Sequence, residues 1–297
     1  MLASVLALVA LAIPGEVSAQ KLNPKEFKPG KTIVFPMPQH GKSWSSGGSE
    51  PVRGCIVLPK NFKRSRKHPV WLHLGGGDGG ARKVTKVANL LDKQNYVFLG
   101  VDYRDGGGYS SGFPIGKSLI SMLVQAPFIQ LDTRSMVVSG KSSGAYAIGG
   151  NYNSRFGRKF GAYVLMAGGG GRSGTLSPRA VRNKTVYWAV GENDTKKATA
   201  GESRIKAIRD NHKLLKKRGG HSTLKVVDGK GHKIDVEDFG DHLKKWVYKW
   251  APPFRTLHVY WNRRNQMSAR KKRRIASKIK NHWLQFPWKE TVSVSGN

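Results

Sequence analysis

The sequence predicts an α/β fold: a mostly parallel sheet with helices on both faces. Three observations predict it. Short, Val-rich apolar runs alternate with helical patterns from residue 51 to 250. The runs are apolar on both sides, as suits strands covered by helices above and below. The segments between them are long enough to carry crossover helices, which parallel neighbours require.

The elements follow in order. Strands are expected at 53–58, 70–74, 96–102, 136–139, 162–166, 185–190 and 223–227, and helices at 81–94, 115–125, 143–156, 198–218 and 236–250. Ahead of them, residues 20–50 are polar and carry Pro24, Pro29, Pro36 and Pro38, so an irregular lead-in with one short strand near 32–35 is expected. No internal repeat is visible, and no insertion is long enough for a large lid domain. Residues 251–297 differ in composition. Pro252 and Pro253 end the preceding helix. Beyond them every charged residue but Glu290 is Lys or Arg, and Ile275, Ile279 and Trp283 recur at spacing four. A basic C-terminal extension with one short amphipathic helix is expected there.

Residues 1–13 form an apolar run, followed by Pro14-Gly15 and the small residues Ser18 and Ala19. This reads as a signal peptide spanning 1–19, cleaved after Ala19, and as too short to span a bilayer. The implied location is secreted or periplasmic, with no transmembrane segment after signal removal. No basic residue precedes the run, so a buried N-terminal helix is the competing reading. The chain has a single cysteine, Cys55, in a strand-like run. It excludes an internal disulfide framework and reads as a small core residue.

Lys and Arg number 52 against 18 Asp and Glu, a formal net charge of +34. Such a field favours polyanions. An acidic polysaccharide or an anionic envelope surface suits it; nucleic acid is the less expected partner. Adaptation to an unusual medium explains the charge equally well.

The strongest local signal is Gly140-Lys-Ser142-Ser-Gly144, which follows the buried run at 136–139 and opens a helical pattern. A serine on a tight strand-to-helix turn needs very small residues two before and two after it. The helix that follows aims its first amides at the place where negative charge develops. Ser142 is therefore the candidate nucleophile. Ser143 is the alternative, without the symmetric glycine spacing.

A serine hydroxyl attacks only when a base takes its proton. On such a sheet the acid and the base are expected downstream, in the order Ser, Asp or Glu, His, just past strand ends. The run at 185–190 leads into Gly191-Glu-Asn-Asp194, and the run at 223–227 leads into Asp228-Gly-Lys-Gly-His232. Asp194 and His232 are the candidates, with Glu192 and Asp235 as fallback acids. An exposed aspartate is the bland reading of Asp194. His212, His221 and His242 lie in charged, helix-like surroundings.

The third element is His73-Leu-Gly-Gly-Gly-Asp-Gly-Gly80, between a strand and a helix. A tetrahedral intermediate needs amide donors, and glycines let the backbone come close. One donor is expected from Ser143 and the other from Gly76, with Gly75 next. The loop lacks the Gly-Lys-Ser/Thr of a phosphate cradle. Tyr103, Tyr109 and Phe113, after the run at 96–102, together with His73, are candidates to line the substrate pocket. Ordinary packing is the alternative for the aromatics.

The glycine loop after His73, the Ser142 pentapeptide, Gly191-Glu-Asn-Asp194 and Gly231-His232, taken together over roughly residues 50–250, resemble the α/β-hydrolase superfamily. The nearest branch resembles secreted esterases: feruloyl and acetylxylan esterases, polyhydroxybutyrate depolymerases and dienelactone-hydrolase-like or prolyl-oligopeptidase-like enzymes. Leu74 stands where such relatives usually have glycine, and Lys141 and Ser143 flank the nucleophile where many carry other residues. The resemblance implies a catalytic domain at 51–250 and a serine carboxylic ester hydrolase. It further implies a Ser142–His232–Asp194 triad, an acyl-enzyme intermediate, and neither metal nor cofactor. The implied substrate is an ester, with a plant or microbial polysaccharide ester or a polyester as candidates. The alternatives are a serine peptidase of the same fold and a non-catalytic hydrolase-like module that binds anionic polymers.

Overall fold

The computed structural model describes residues 22–91, 96–169, 184–196 and 203–252. The expected signal peptide, the basic extension beyond Pro252, residues 92–94 of the first expected helix and the start of the helix expected at 198–218 lie outside the described residues.

The described strands form one eight-stranded sheet: β1 (Thr32–Pro36), β2 (Arg53–Val57), β3 (Lys67–Leu74), β4 (Val97–Val101), β5 (Gln130–Lys141), β6 (Ala162–Met166), β7 (Thr185–Gly191) and β8 (His221–Val227). Their spatial order is β1-β2-β4-β3-β5-β6-β7-β8. β2 runs antiparallel to β1 and β4, and the ladder from β4 to β8 is parallel throughout. β4, β6 and β7 are buried at every position, which is why their sequences are continuous apolar runs.

Five described helices cover the sheet: α1 (Val84–Leu90), α2 (Gly112–Gln125), α3 (Ser143–Asn151), α4 (Arg204–Lys217) and α5 (Gly240–Trp250). Val84 and Val87 of α1 and Leu243, Trp246 and Val247 of α5 share one core with Trp71, Phe98 and Tyr187. Ile115 and Leu119 of α2, Ile148 of α3 and Ile208 and Leu215 of α4 share the other with Leu72, Val138 and Trp188. These side chains alternate along the strands, so each face of the sheet has its own helices.

Several boundaries differ from expectation; the helix expected at 143–156, for one, ends at Asn151. β3 begins three residues early, and its register against β5 shifts between Pro69 and Val70. Pro69 has no amide to give a ladder, so it is tolerated where the pairing is irregular. β5 extends back to Gln130 because its first half is a polar, half-exposed edge that no apolar pattern marks. The helix expected from Ala81 opens as a 3-10 turn over Ala81–Lys83. The β1 strand of the lead-in pairs with β2 and contributes Ile33 and Phe35 to the core.

Cys55 is buried within β2, and burial pushes its thiol up to about 12. It stays protonated and packs as an apolar residue. No helix among the described residues is long and apolar enough to cross a membrane.

Candidate active site

β5 delivers the chain to Ser142, which sits between the strand and α3 at φ 48°, ψ −115°. Among the described residues only Ser142 and Ala167 are non-glycine residues with positive φ. Such a conformation is unfavourable for an L residue and persists only where its surroundings impose it. The two glycines of the pentapeptide permit the close packing that holds it. A Cβ on Gly144 would stand 2.1 Å from the Leu74 carbonyl oxygen, and one on Gly140 would stand 2.5 Å from the Gly144 carbonyl carbon. Strand and helix can meet this closely only without those side chains. The Ser142 amide, in turn, donates to the Met166 carbonyl at 2.8 Å and ties the turn to β6.

His232 Nε2 lies 2.9 Å from Ser142 Oγ. On the other side of the ring, His232 Nδ1 lies 2.9 Å from Asp194 Oδ2. The Asp194 side chain is fully buried, whereas His232 keeps 29% of its side-chain exposure. An acid out of water, an imidazole at the rim and a hydroxyl beyond it form one hydrogen-bonded line. Elements far apart in the chain build it, because parallel strands all end on the same edge of the sheet.

The two loops that carry Asp194 and His232 are fastened to each other. A Cβ on Gly191 would fall 2.2 Å from the Gly231 oxygen, so glycine is required where they cross. The Asn193 amide donates to the Lys230 carbonyl at 2.7 Å, and the Gly229 amide donates to Glu192 Oε2 at 3.0 Å. Glu192 therefore staples the His232 loop and leaves the line to Asp194. Asp235 is also engaged elsewhere: it pairs with Lys86 at 2.6 Å and caps the turn Val236–Phe239, and these contacts hold its carboxyl below the usual range against the opposing effect of burial. Ser143 Oγ donates to the Gly77 carbonyl at 2.8 Å, and among the described residues no histidine hydrogen-bonds to it.

The glycine loop after β3 rests against the nucleophile turn. A Cβ on Gly76 would lie 3.2 Å from the Lys141 oxygen and 3.5 Å from Ser142 Cβ, a tight contact. Gly75 lies one residue further back, under the stem of Lys83. Asp102, buried at the end of β4, anchors the far end of this loop. It accepts from the Ala81 amide at 2.7 Å and from Arg53 Nε at 2.8 Å.

The four expected pocket residues go to different places. Tyr103 is fully buried beneath the glycine loop, where its hydroxyl donates to the Gly75 carbonyl. Burial, with a smaller contribution from Asp78, raises its hydroxyl above the usual phenol range, so it remains a donor. Phe113 belongs to the core, packed on Phe156 and Phe160. Tyr109 is 43% exposed, on the 3-10 turn Tyr109–Ser111 ahead of α2. His73 is buried beside Ser139, with Nδ1 2.8 Å from Ser139 Oγ, which also accepts from Trp71 Nε1 at 2.7 Å. Burial, helped by the nearby Lys83 and Lys141 charges and opposed by Asp235, pushes His73 down to about 4.

Two residues that sequence reasoning missed complete the site. Arg204, at the start of α4, reaches the second oxygen of Asp194 at 3.2 Å. Lys83 places its ammonium 2.7 Å from the Gly76 carbonyl oxygen and 3.4 Å from Asp78. With so many basic residues in the chain, no local signal separates these two from their neighbours. Among the described residues, no group of three or more His, Cys, Asp or Glu side chains clusters as metal ligands.

No protein-family model matches the chain, and no curated protein matches it in sequence. Solved structures do match. The apo form of Thermogutta terrifontis esterase 2 aligns with a TM-score of 0.55 at 15% identity, covering 78% of this chain and 100% of that one. Its propionate-bound form gives 0.55 at 15%, covering 78% and 99%. The same esterase phosphonylated by sarin gives 0.53 at 14%, covering 68% and 92%. The chain has the α/β-hydrolase fold. Altogether 951 solved chains match it. So widely shared an α/β-hydrolase scaffold identifies the architecture and not the substrate, which has to be argued from the site.

Proposed function

We propose that this chain is a serine hydrolase of carboxylic esters acting through Ser142, His232 and Asp194. The observation that carries the reading is the hydrogen-bonded line Ser142 Oγ–His232 Nε2 and His232 Nδ1–Asp194 Oδ2, each 2.9 Å long, ending on a serine held at positive φ.

The chemistry follows from that line. His232 takes the Ser142 proton as Oγ attacks the ester carbonyl, and Asp194 orients the ring and stabilises it once charged. The carbonyl oxygen becomes an oxyanion in reach of the Ser143 and Gly76 amides, at the positive end of α3. Collapse breaks the bond to the alkoxy group, which leaves with the proton from His232. Water, activated by the same ring, then cleaves the acyl-enzyme. Thermogutta terrifontis esterase 2, which shares the fold, has been captured with propionate, with butyrate and with organophosphorus groups. These captured forms support the same reaction class for this chain.

The apolar run at 1–13 and the small residues before Gln20 support export, with a mature chain beginning at Gln20. The net charge of +34 supports retention on an anionic polymer or envelope surface.

The test is labelling with a fluorophosphonate probe, peptide mapping of the modified residue and a panel of aryl esters. Modification at Ser142, and loss of hydrolysis by about 10⁴-fold or more in Ser142→Ala, is the expected result. Equal, background-level hydrolysis by wild type and Ser142→Ala would sink the reading. Heparin retention lost at high salt and weakened by truncation at Pro252 is expected for the basic extension; unchanged retention by the truncated chain rejects its role.

A further inference from the structure

We propose that Tyr103, Lys83 and Ser143 form a clamp on three successive carbonyls of the glycine loop and thereby aim its amides at the oxyanion. The proposal rests on the serine-hydrolase reading and goes beyond it, because it assigns positioning roles to three side chains outside the Ser142–His232–Asp194 line.

Three hydrogen bonds carry it. The Tyr103 hydroxyl donates to the Gly75 carbonyl. Lys83 Nζ donates to the Gly76 carbonyl at 2.7 Å. Ser143 Oγ donates to the Gly77 carbonyl at 2.8 Å. The donors come from three separate places: the segment after β4, the turn Ala81–Lys83 and the first residue of α3. Each carbonyl of a run that would otherwise turn easily is thus held by a different part of the fold.

In a trans peptide the C=O and the following N–H point in opposite directions. Holding the Gly75 oxygen therefore orients the Gly76 amide, and holding the Gly76 oxygen orients that of Gly77. Among the described residues neither of these amides donates to a backbone carbonyl, nor does that of Ser143. Glycines have no side-chain packing to hold them in place, so a glycine loop is well placed to approach the reacting atoms and poorly placed to stay there. A donor that has to be aimed during the reaction stabilises the transition state less than one already in place.

Packing reinforces the bonds. The Tyr103 ring fills the space under Gly79, where a Cβ would come 2.9 Å from it. The Lys83 stem lies across Gly75, whose Cβ would come 2.6 Å from Lys83 Cδ. The two side chains therefore occupy the room that the glycines leave. Lys83 fixes the peptide plane that follows Gly76 while Tyr103 fixes the one that precedes it, so the Gly76 amide is held from both sides by charge-assisted and neutral hydrogen bonds. Ser143 closes the arrangement, since its amide is one expected oxyanion donor while its hydroxyl holds the loop that supplies the other.

The experiment compares full-length wild type with Tyr103→Phe, Lys83→Met and Ser143→Ala. The readouts are p-nitrophenyl butyrate hydrolysis, the affinity of a trifluoromethyl ketone that forms a tetrahedral adduct, and the melting temperature. Each variant is expected to lose about ten-fold in kcat, less than the loss of a donor itself, with KM within two-fold. Ketone affinity is expected to fall in the same proportion. The Lys83 side chain is 46% exposed, so Lys83→Met is the variant whose folding is least at risk. A folded Lys83→Met with wild-type kcat, or with lowered kcat and unchanged ketone affinity, overturns the clamp. A wild type that neither hydrolyses the ester nor is labelled at Ser142 overturns the serine-hydrolase reading and takes the clamp with it.

Discussion

Arg204 Nη1 stands 3.2 Å from Asp194 Oδ1, on the carboxylate oxygen opposite the one that meets His232. The aspartate is fully buried, so both of its oxygens need partners, and the chain supplies one from α4 and one from the loop after β8. Removing one partner of a buried charge leaves the other uncompensated. Arg204→Leu is expected to lower stability by on the order of 3 kcal/mol in urea unfolding. Arg204→Leu/Asp194→Asn should recover part of that loss. A double variant that shows the plain sum of the two single losses would mean that the pair does not act as a unit.

Ser142, His232 and Asp194 form one line, so their losses should not multiply. His232→Ala is expected to cost about as much kcat as Ser142→Ala, and the double variant little more than either. Asp194→Asn, which keeps the shape and loses the charge, is expected to drop kcat about 10³–10⁴-fold. Active-site titration with the fluorophosphonate probe separates slow turnover from missing protein.

His73 makes stability depend on pH below neutrality. Above pH 6.5 a histidine is neutral folded or unfolded. Between 6.5 and about 4 only the unfolded chain takes up the proton, because burial holds the folded group down. Stability therefore falls as the pH falls through that window, by about 3 kcal/mol from this group, and its slope ends near pH 4. Urea midpoints measured from pH 7 to pH 4 should fall more steeply for wild type than for His73→Asn. Equal slopes would show that His73 is not the group responsible.

The glycines of the nucleophile turn should divide sharply by position. Gly144→Ala places a methyl 2.1 Å from a backbone oxygen of β3, which cannot yield, so the variant is expected to be insoluble or to lose several kcal/mol. Gly150→Ala, at the exposed end of α3, meets nothing within 4 Å. It is expected to gain about 0.5–1 kcal/mol through better helix propensity. Thermal melts of the two purified variants decide both outcomes.

The parallel sheet was legible because its strands are continuous apolar runs between helical patterns. The run at 162–166 coincides with β6, and that at 185–190 falls one residue short of β7. Ser142 was legible because the glycine spacing reports a close backbone approach directly. Elsewhere the signals weaken. The first half of β5 is polar and gives no periodicity. Tyr103 and Phe113 look alike in a sequence, yet one lies under the glycine loop and the other in the core.

By itself, the sequence determined what depends on neighbours along the chain: the alternation of strands and helices, the serine turn and the two loop ends that carry Asp194 and His232. Only the tertiary structure decided what depends on neighbours across it. It brought Arg204 to Asp194 and Lys83 to the Gly76 carbonyl, and it turned Glu192 and Asp235 to other partners. The physical reason is that a charged side chain is recognised by its partner's position. In a chain with 52 Lys and Arg, only the packing of the sheet and its helices selects which of them reach the site.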